Sequence, residues 1–128
     1  MAAFRKYTSP GGYSVLVGRN SSQNDQLSLH VAQPSDVWMH ARGVPGAHVL
    51  LRIPAGQQPG DADIQFAADL AAWFSRLRTD GRAEVSCAQP KDISKPKGAK
   101  PGQVVVRAEK VVTGRPQNSA AAGEGDEE

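Results

Sequence analysis

The sequence predicts an α+β fold: a mainly antiparallel sheet that starts with an N-terminal β-hairpin and is packed against one short and one long helix. Three observations favour this class. Short apolar segments with strand-like alternation are separated by turn residues, one segment after residue 60 has a broad apolar helical face, and 128 residues are enough for one core. We therefore expect one domain over residues 1–116, followed by a disordered acidic tail over residues 117–128.

The first predicted elements are a hairpin and a short helix. Residues 4–8 and 13–18 flank the turn sequence S-P-G-G, which is typical of a β-hairpin. Ser22 and Asp25 resemble an N-terminal capping pair and predict a short helix that ends near Ala32. The alternating apolar residues of this segment also permit a strand, so the sequence leaves both interpretations open.

The middle and the end of the chain supply the sheet and the long helix. Residues 36–42 and 47–53 are predicted strands joined by the turn G-V-P-G. Aspartates at positions 61 and 63 open the long helix, and Asp80-Gly81 ends it. Further strands are predicted over residues 83–88, 103–107 and 109–113, with an irregular basic loop over residues 90–102.

Composition excludes several classes of protein. No apolar run approaches the roughly 20 residues that a membrane helix needs, and the N-terminus lacks the apolar region of a secretory signal. Cys87 is the single cysteine, which excludes a disulfide framework and a multi-cysteine zinc site and fits a reducing, cytoplasmic location. Because Cys87 lies in the middle of a predicted strand, we expect a buried inert thiol in preference to a nucleophile.

The charge distribution points to an anionic partner. Four of the 13 acidic residues lie in the last five positions, so residues 1–116 carry 15 bases against nine acids. Within residues 82–116 there are eight bases and three acids. A basic body beside an acidic tail is typical of a protein that binds a polyanion, although bases that only keep a small fold in solution would give the same count.

Polar and aromatic side chains share one face of the two central strands. Because side chains alternate along a strand, pairing through the G-V-P-G turn is expected to collect five of them on one surface: Trp38, His40, Arg42, His48 and Arg52. An aromatic ring among cations and hydrogen-bonding groups suits an unpaired nucleobase, whose stacking contributes roughly 1–3 kcal/mol. Arginine and histidine side chains suit phosphate or a base edge.

Other interpretations of the same residues stay open. Trp38 is also typical of a core residue, and Asp36 could orient His40 as a buried structural pair. Asp36, His40 and His48 together could hold a metal ion, or form a hydrolytic site with a histidine as general base. No metal-binding motif accompanies them, and we expect no metal.

The loop over residues 90–102 is the most basic segment of the chain. It contains Lys91, Lys95, Lys97 and Lys100 against one acid, Asp92. Its prolines prevent a helix or a central strand, and its glycines permit close approach of the backbone to a ligand. We expect an exposed, mobile, cationic tether that contacts phosphate, although a merely solubilising loop has the same composition.

Three segments together resemble a known family. They are G-R-N-S-S-Q-N-D-Q-L at 18–27, D-V-W-M-H-A-R-G-V-P-G-A-H-V-L-L-R at 36–52 and K-P-K-G-A-K-P-G at 95–102. In this order and spacing they are similar to the NFACT-R domain, the RNA-binding module of NFACT ribosome quality-control proteins. The resemblance implies that the lysines of the basic loop are binding residues. It carries over eight further positions: Asn24, Asp36, Trp38, His40, Pro45, Gly46, His48 and Arg52. Ala47 departs from the serine that is usual in the family.

The resemblance implies a non-catalytic module that binds RNA without a cofactor. Transfer or ribosomal RNA is the expected partner, in translation or ribosome quality control, with the ribosome and DNA as further candidates. Within this interpretation the arginines and the loop lysines contact phosphate, and Trp38 and the two histidines contact sugar or base. Two alternatives remain: a nucleic-acid-processing enzyme that uses His40, His48 and Asp36, and an adaptor that docks on a ribosomal protein.

Overall fold

The computed structural model describes residues 3–116 and the backbone of residues 125–126. The strands are β1 (Arg5–Thr8), β2 (Ser14–Val17), β3 (Val37–Ala41), β4 (Val49–Leu51), β5 (Ala83–Ala88), β6 (Ile93–Ser94), β7 (Val105–Val106), β8 (Lys110–Gly114) and β9 (Gly125–Asp126), and the α-helices are α1 (Ser21–Gln26) and α2 (Asp61–Trp73). Seven strands form one antiparallel sheet in the order β8-β5-β3-β4-β2-β1-β9, while β6 and β7 form a separate hairpin. The predicted α+β class is confirmed, including the N-terminal hairpin of β1 and β2.

The start of α2 is joined to the turn of the N-terminal hairpin by Asp63. Its carboxylate accepts hydrogen bonds from the Ser9 hydroxyl at 2.7 Å and from the backbone N–H groups of Gly11 at 2.6 Å and Gly60 at 2.9 Å. The Ser9 hydroxyl is the main cause of the lowered pKa of Asp63, against which burial acts in the opposite direction. The acidic start of this helix therefore also fixes the helix to β1 and β2.

Helix α2 covers one face of the sheet and ends earlier than the sequence predicts. Its buried residues pack against the apolar side chains of the central strands: Ala67, Ala68, Leu70 and Ala71 against Val15, Val17, Met39, Val49 and Leu51. The prediction that the helix continues to Asp80 is wrong, because the Phe74 carbonyl accepts a hydrogen bond from Ala47 N–H at 2.9 Å and Gly46 forms a bridge with Ser75. Among the described residues, neither helix has the length and hydropathy to cross a bilayer.

The other face of the sheet is covered by α1 and by the β6–β7 hairpin. Leu16 and Leu50 pack against Leu27, which follows α1, and Trp38 packs against Ile93 of β6. Both faces of the sheet are therefore buried. Polar side chains on this second face must find hydrogen-bond partners within the protein, because an unsatisfied buried polar group is costly.

The short helix differs from the prediction at both ends. Its N-cap is Asn20, whose side-chain oxygen accepts a hydrogen bond from Gln23 N–H at 2.9 Å, so the predicted capping role of Ser22 is wrong. After Gln26 the chain continues as one π-helical turn over Leu27–Val31, closed by the hydrogen bond from Ala32 N–H to the Leu27 carbonyl at 3.0 Å. The helical interpretation of this segment is confirmed and the strand interpretation is wrong.

The basic segment forms a hairpin with its own small apolar contact. Ile93 is buried and pairs with Val106, so the predicted irregular loop is ordered at its start, and the predicted strand over residues 103–107 is reduced to β7. The prolines at 96 and 101 lie between the two strands, where no ladder hydrogen bond is needed from them. The predicted strand over residues 83–88 is confirmed as β5, and that over residues 109–113 corresponds to β8.

The predicted disordered acidic tail over residues 117–128 lies almost entirely outside the described residues. Only the backbone of residues 125–126 is described, and there β9 pairs antiparallel with β1 opposite Arg5 and Lys6. Disorder of the tail therefore stays a prediction.

Candidate nucleic-acid interface

A cleft of about 520 Å³ opens where the β3–β4 turn meets the β6–β7 hairpin. We call it the imidazole cleft. Its lining residues are Trp38, His40, Gly43, Val44, Pro45 and His48 on one side and Pro96, Ala99, Gly102, Gln103, Val104, Val105 and Val106 on the other. The cleft brings His40 and His48 close to the basic segment over residues 90–102. In the sequence, more than 40 positions separate His48 from this segment.

Two of the predicted contact residues lie at the base of this cleft and are buried. Trp38 is 1% exposed and His48 is 2% exposed. The indole Nε1–H of Trp38 donates to the Ser28 hydroxyl at 2.7 Å, and the same hydroxyl lies 2.6 Å from Nδ1 of His48. His48 N–H donates to Asn24 Oδ1 at 3.0 Å. Trp38 is therefore a core residue, and the expectation that its ring stacks on a base is wrong for this structure.

The Ser28 hydroxyl determines how this buried group is satisfied. An indole N–H is only a donor, so the Ser28 oxygen must accept from Trp38. The single proton of the hydroxyl is then available to Nδ1 of His48, which accepts it when His48 is neutral and carries its own proton on Nε2. Sequence reasoning missed Ser28. The sequence feature that could have identified it is a polar residue between two apolar ones, Leu27 and Leu29, on a predicted helical segment.

The imidazoles are neutral groups and do not supply positive charge at neutral pH. Burial lowers the pKa of His48 to about 4, with a further contribution from the neighbouring His40, and burial also lowers the pKa of His40. His40 is half-buried, with its ring stacked on the indole of Trp38 at a centroid distance of 6.0 Å and perpendicular to His48 at 5.3 Å. His40 can therefore offer a hydrogen bond or a flat ring to a ligand, and His48 supports it from below.

Arg52 does not lie beside the imidazoles. In the register of β3 and β4, Trp38 is opposite Leu50 and Val37 is opposite Leu51, which places Arg52 next to Asp36 at the far end of the strand pair. Its Nε lies 3.0 Å from Asp36 Oδ2, and it lines a separate cleft of about 620 Å³. The expected single surface of arginines and histidines is therefore corrected, because strand register separates them.

Arg42 is near the imidazole cleft but is paired with acids. Its guanidinium lies 3.5 Å from Glu84 Oε1 and 3.6 Å from Glu109 Oε2. Exposed pairs of this kind are weak and can exchange for phosphate. The structure thus leaves Arg42 at the margin of the site, with carboxylates that any anion must displace.

Asp36 fixes the backbone and does not orient a histidine. Its Oδ1 accepts from Ile53 N–H at 2.9 Å and its Oδ2 from Gln33 N–H at 2.8 Å. Among the residues that the structure describes, no group of three or more His, Cys, Asp or Glu side chains is placed to hold a metal ion. Both the hydrolytic and the metal-binding interpretations need the Asp36 carboxylate beside the histidines, and in this structure it is engaged with backbone N–H groups instead.

The thiol of Cys87 lies on the other face of the sheet, in the core that packs against α2. It is buried, and burial followed by the charge of Glu109 raises its pKa to about 11. The thiol is therefore protonated at neutral pH, which agrees with the expectation of an inert side chain.

The basic hairpin is held by one of its own lysines. Lys95 Nζ lies 3.1 Å from Asp25 Oδ2 and donates to the carbonyls of Lys100 at 2.7 Å and Gln103 at 3.1 Å, while Gly102 N–H donates to Asp25 Oδ1 at 3.0 Å. The expectation of a free tether is therefore replaced by a hairpin attached to α1. Lys95 is occupied by this attachment, and Asp25 is a second residue whose role sequence reasoning missed.

The other three lysines of the segment are exposed. Lys97 and Lys100 lie near the tip of the hairpin, between β6 and β7, and Lys91 lies on a 3₁₀ turn over Pro90–Asp92. Within residues 3–116 none of the three side chains has an ion pair. Lys97 and Lys100 thus provide unpaired positive charge beside the imidazole cleft.

Pro45 lies in the wall of the imidazole cleft opposite the hairpin, and Gly46 follows it in the β3–β4 turn. A Cβ atom at Gly46 would lie 2.9 Å from the Cβ of Ser75, so only glycine permits this close approach of the turn to the end of α2. The roles of Asn24, Pro45 and Gly46 visible in this structure are therefore to position the backbone of the β3–β4 connection and of β4, whereas Asp36 positions the backbone at the far end of the strand pair.

Comparisons with known proteins agree on one family. The family model of the NFACT protein RNA binding domain matches residues 3–108. The Rqc2 homolog RqcH of Bacillus subtilis is 36% identical over 106 residues, which is 83% of this chain and 18% of that protein, and RqcH of Streptococcus suis is 37% identical over 108 residues, 84% and 19% respectively. A solved structure of the C-terminal part of the fibronectin/fibrinogen-binding protein from Streptococcus suis superposes with a TM-score of 0.87 at 33% identity, over 94% of this chain and 48% of that one. The chain thus spans about a fifth of the length of these curated relatives.

Replacing Ser28 by alanine is expected to destabilise the protein by about 1–3 kcal/mol, because the indole N–H of Trp38 and Nδ1 of His48 both lose their partner in a buried environment. Urea unfolding followed by circular dichroism measures the change. Ser22→Ala, on the exposed side of α1, is the matched control and should be within about 0.5 kcal/mol of the unsubstituted protein. Equal stability of the two variants would contradict the role given to Ser28.

Stability is expected to fall as the pH is lowered from about 6.5 to about 4. The unfolded chain takes up a proton on His48 near the ordinary histidine pKa of 6.5, whereas the folded protein does so only near 4. The unfolded state therefore binds more protons in this window, and folding stability rises with pH across it, by roughly 3 kcal/mol for this group.

The measurement is the free energy of unfolding at several pH values for His48→Gln and for the exposed control His30→Gln. The lowered pKa of His40 acts in the same direction, so a reduced slope should persist in His48→Gln. Asp63 does not interfere with this measurement. Because its pKa is lowered from the ordinary aspartate value of 3.8, its contribution to stability is lost only at pH values near and below 3.8. A slope in His48→Gln as steep as in His30→Gln would refute the assignment.

Proposed function

The chain belongs to the NFACT RNA-binding domain family, and on this premise we propose that it is a non-catalytic module that binds RNA. The proposed partner is transfer or ribosomal RNA, in translation or ribosome quality control, and the proposed location is the cytoplasm. The relatives named RqcH support this assignment, although each is about five times as long as the matched segment. We therefore propose only binding for this chain, and the activity of the whole relatives serves as the proposed context in which it binds.

The observation that carries the proposal is the imidazole cleft with its two exposed lysines. Val44, Pro45 and Val105 give it apolar walls, and Val105 is one of the large apolar side chains that the structure leaves exposed, at 44%. His40 supplies a flat, neutral hydrogen-bonding ring at the base. An unpaired base fits such a site by its apolar faces and polar edge, while the strand's phosphates meet Lys97 and Lys100.

This arrangement favours single-stranded or looped RNA over a regular duplex. A duplex keeps its bases stacked and paired, so the cleft would meet only the backbone. One imidazole provides few hydrogen bonds for base discrimination, so we expect low sequence specificity. DNA of the same length and single-stranded form should compete, since lysine contacts to phosphate do not distinguish the two sugars.

The two alternative functions make different demands. A nucleic-acid-processing enzyme needs a group to activate water, but Asp36 is engaged with Arg52 and with backbone N–H groups. Incubation of labelled RNA with and without divalent metal tests for turnover directly. An adaptor that docks on a ribosomal protein would instead keep its association with ribosomes after nuclease treatment.

Replacing Lys97 and Lys100 together by glutamine is expected to weaken RNA binding and to reduce its salt dependence. Each lost phosphate contact should lower the slope of log K against log salt by about one. Fluorescence anisotropy with a labelled single-stranded RNA at several salt concentrations measures the slope. The double variant Arg82→Gln/Arg115→Gln removes two exposed cations near the β5–β8 edge and should leave the slope unchanged.

A second substitution separates base recognition from charge. His40→Gln is expected to weaken binding of single-stranded RNA about three- to tenfold, the loss of one neutral hydrogen bond, without changing the salt slope. Binding of a fully paired RNA duplex should be unaffected, because no base reaches the cleft. If His40→Gln weakens both RNAs equally, His40 has only a structural role.

A further inference from the structure

The cleft of about 620 Å³ that Arg52 lines takes no part in the proposed function. We call it the Arg52 cleft. Three connecting segments enclose it, over residues 12–14, 33–36 and 52–55, together with Lys6 of β1 and Leu16 of β2. It lies at the end of the β3–β4 strand pair that is remote from the histidines, so a ligand there is recognised by a different set of side chains.

Strand register places both cations of the Arg52 cleft on the same face of the sheet. Lys6 is opposite Leu16, and Leu16 is opposite Leu50. Residues directly opposite each other on neighbouring strands share a face, and Arg52, two positions after Leu50, shares it as well. The extended pairing continues this far, because Arg52 N–H donates to the Ser14 carbonyl at 2.9 Å. Both cations remain accessible: Lys6 is exposed, and the Arg52 side chain is 32% exposed.

The guanidinium group of Arg52 has donors that no described residue uses. Its Nε is buried and lies 3.0 Å from Asp36 Oδ2, in an ion pair that lacks the geometry of a hydrogen bond. The Asp36 oxygens accept from the backbone N–H groups of Gln33 and Ile53. The other guanidinium nitrogens make no hydrogen bond to the described residues either. Asp36 thus holds Arg52 in place by charge and leaves the outer edge of the fork available to an anion.

The rest of the Arg52 cleft adds one cation and apolar walls. The Lys6 side chain has no ion pair or hydrogen bond to the described residues. Apart from Lys6, Arg52 and Asp36, the lining carries no ionisable acid or base other than the phenol of Tyr13, whose hydroxyl is 3.2 Å from Gln57 Oε1. Most of the other lining side chains are apolar: Leu16, Pro34, Ile53, Pro54 and Ala55. The cleft therefore combines one net positive charge with an apolar surface.

This combination selects a single anionic group attached to an apolar body. A guanidinium fork binds a carboxylate or a phosphate in the same bidentate way. A nucleic-acid strand, however, brings a phosphate with every nucleotide, and apart from Lys6 the described lining has no cation for the phosphates on either side of the one at Arg52. A carboxylate beside an apolar side chain needs only the charge that the cleft supplies.

We propose that the Arg52 cleft binds the C-terminal carboxylate of a peptide or protein whose last side chain is apolar. Such a residue carries the anion and the apolar group together, and its chain leaves the cleft in one direction only. Arg52 holds the carboxylate, Lys6 adds a second positive charge, and Pro34, Ile53 and Pro54 contact the side chain. This site goes beyond RNA binding and does not depend on it.

The test uses N-acetyl-alanyl-leucine and its C-terminal amide, which differ only in the anion. In ¹H–¹⁵N spectra the free acid is expected to shift the backbone signals of Ser14 and Ile53 and the Nε–H signal of Arg52, and to leave the indole signal of Trp38 in the imidazole cleft unchanged. The amide should bind about tenfold more weakly or less, because it forms no charge-assisted pair with the guanidinium.

Three substitutions identify the groups that bind. Arg52→Lys keeps the charge but loses the fork, and should weaken binding of the free acid about tenfold. Lys6→Gln removes an exposed cation without disturbing Asp36, and should weaken it about two- to fivefold, with less salt dependence. Lys110→Gln, an exposed cation of β8 at the other end of the sheet, is the matched control and should bind as the unsubstituted protein does.

Several results would overturn the proposal. Equal binding of the acid and the amide would show that no carboxylate is recognised, and so would unchanged binding in both Arg52→Lys and Lys6→Gln. If the RNA dinucleotide UpU shifts the Ser14 and Ile53 signals at lower concentration than the peptide does, the cleft is a phosphate site of the nucleic-acid interface. None of these results affects the proposed function, which fails only if RNA does not bind, whatever the response to the peptide.

Discussion

The shared hydrogen bonding of the Ser28 hydroxyl is the constraint on which the candidate interface depends. Because both faces of the sheet are covered, Trp38 and His48 are buried, and each brings a polar group that must be satisfied away from water. One hydroxyl serves both. It supplies the hydrogen bond that Nδ1 of the neutral His48 needs beneath His40, and it fixes the indole on which the His40 ring stacks. The chemistry of the cleft is thus set from below, by residues that a ligand does not reach.

Neutral and charged groups are separated on this surface. The imidazoles, whose pKa values are lowered by burial, supply hydrogen bonds and ring faces, while positive charge comes from the exposed lysines of the basic hairpin. Lys95 shows why counting charges is insufficient. It is one of four lysines in the basic segment, but its ammonium group holds the hairpin against Asp25 and is not available to an anion.

Much of the fold could be predicted from local patterns, and the errors have physical causes. Alternation identified β3, β4 and β5, and the turn sequence S-P-G-G identified the first hairpin. Alternation also put Trp38 and His40 on one face correctly, but it carries no information about the layer that covers that face, so the burial of Trp38 was missed. Strand register separated Arg52 from the histidines, which no local pattern reveals.

The π turn at Leu27–Val31 has a consequence for protein engineering. Such a turn accommodates one residue more than a regular helix would, at some cost in helical stability, and it lies where the chain must present Ser28 to the sheet. Shortening the segment by one residue, or filling it with strong helix formers, would favour an uninterrupted α-helix and rotate the hydroxyl away from its partners. Thermostabilisation guided by helix propensity alone would therefore improve the scaffold while dismantling the recognition chemistry it supports.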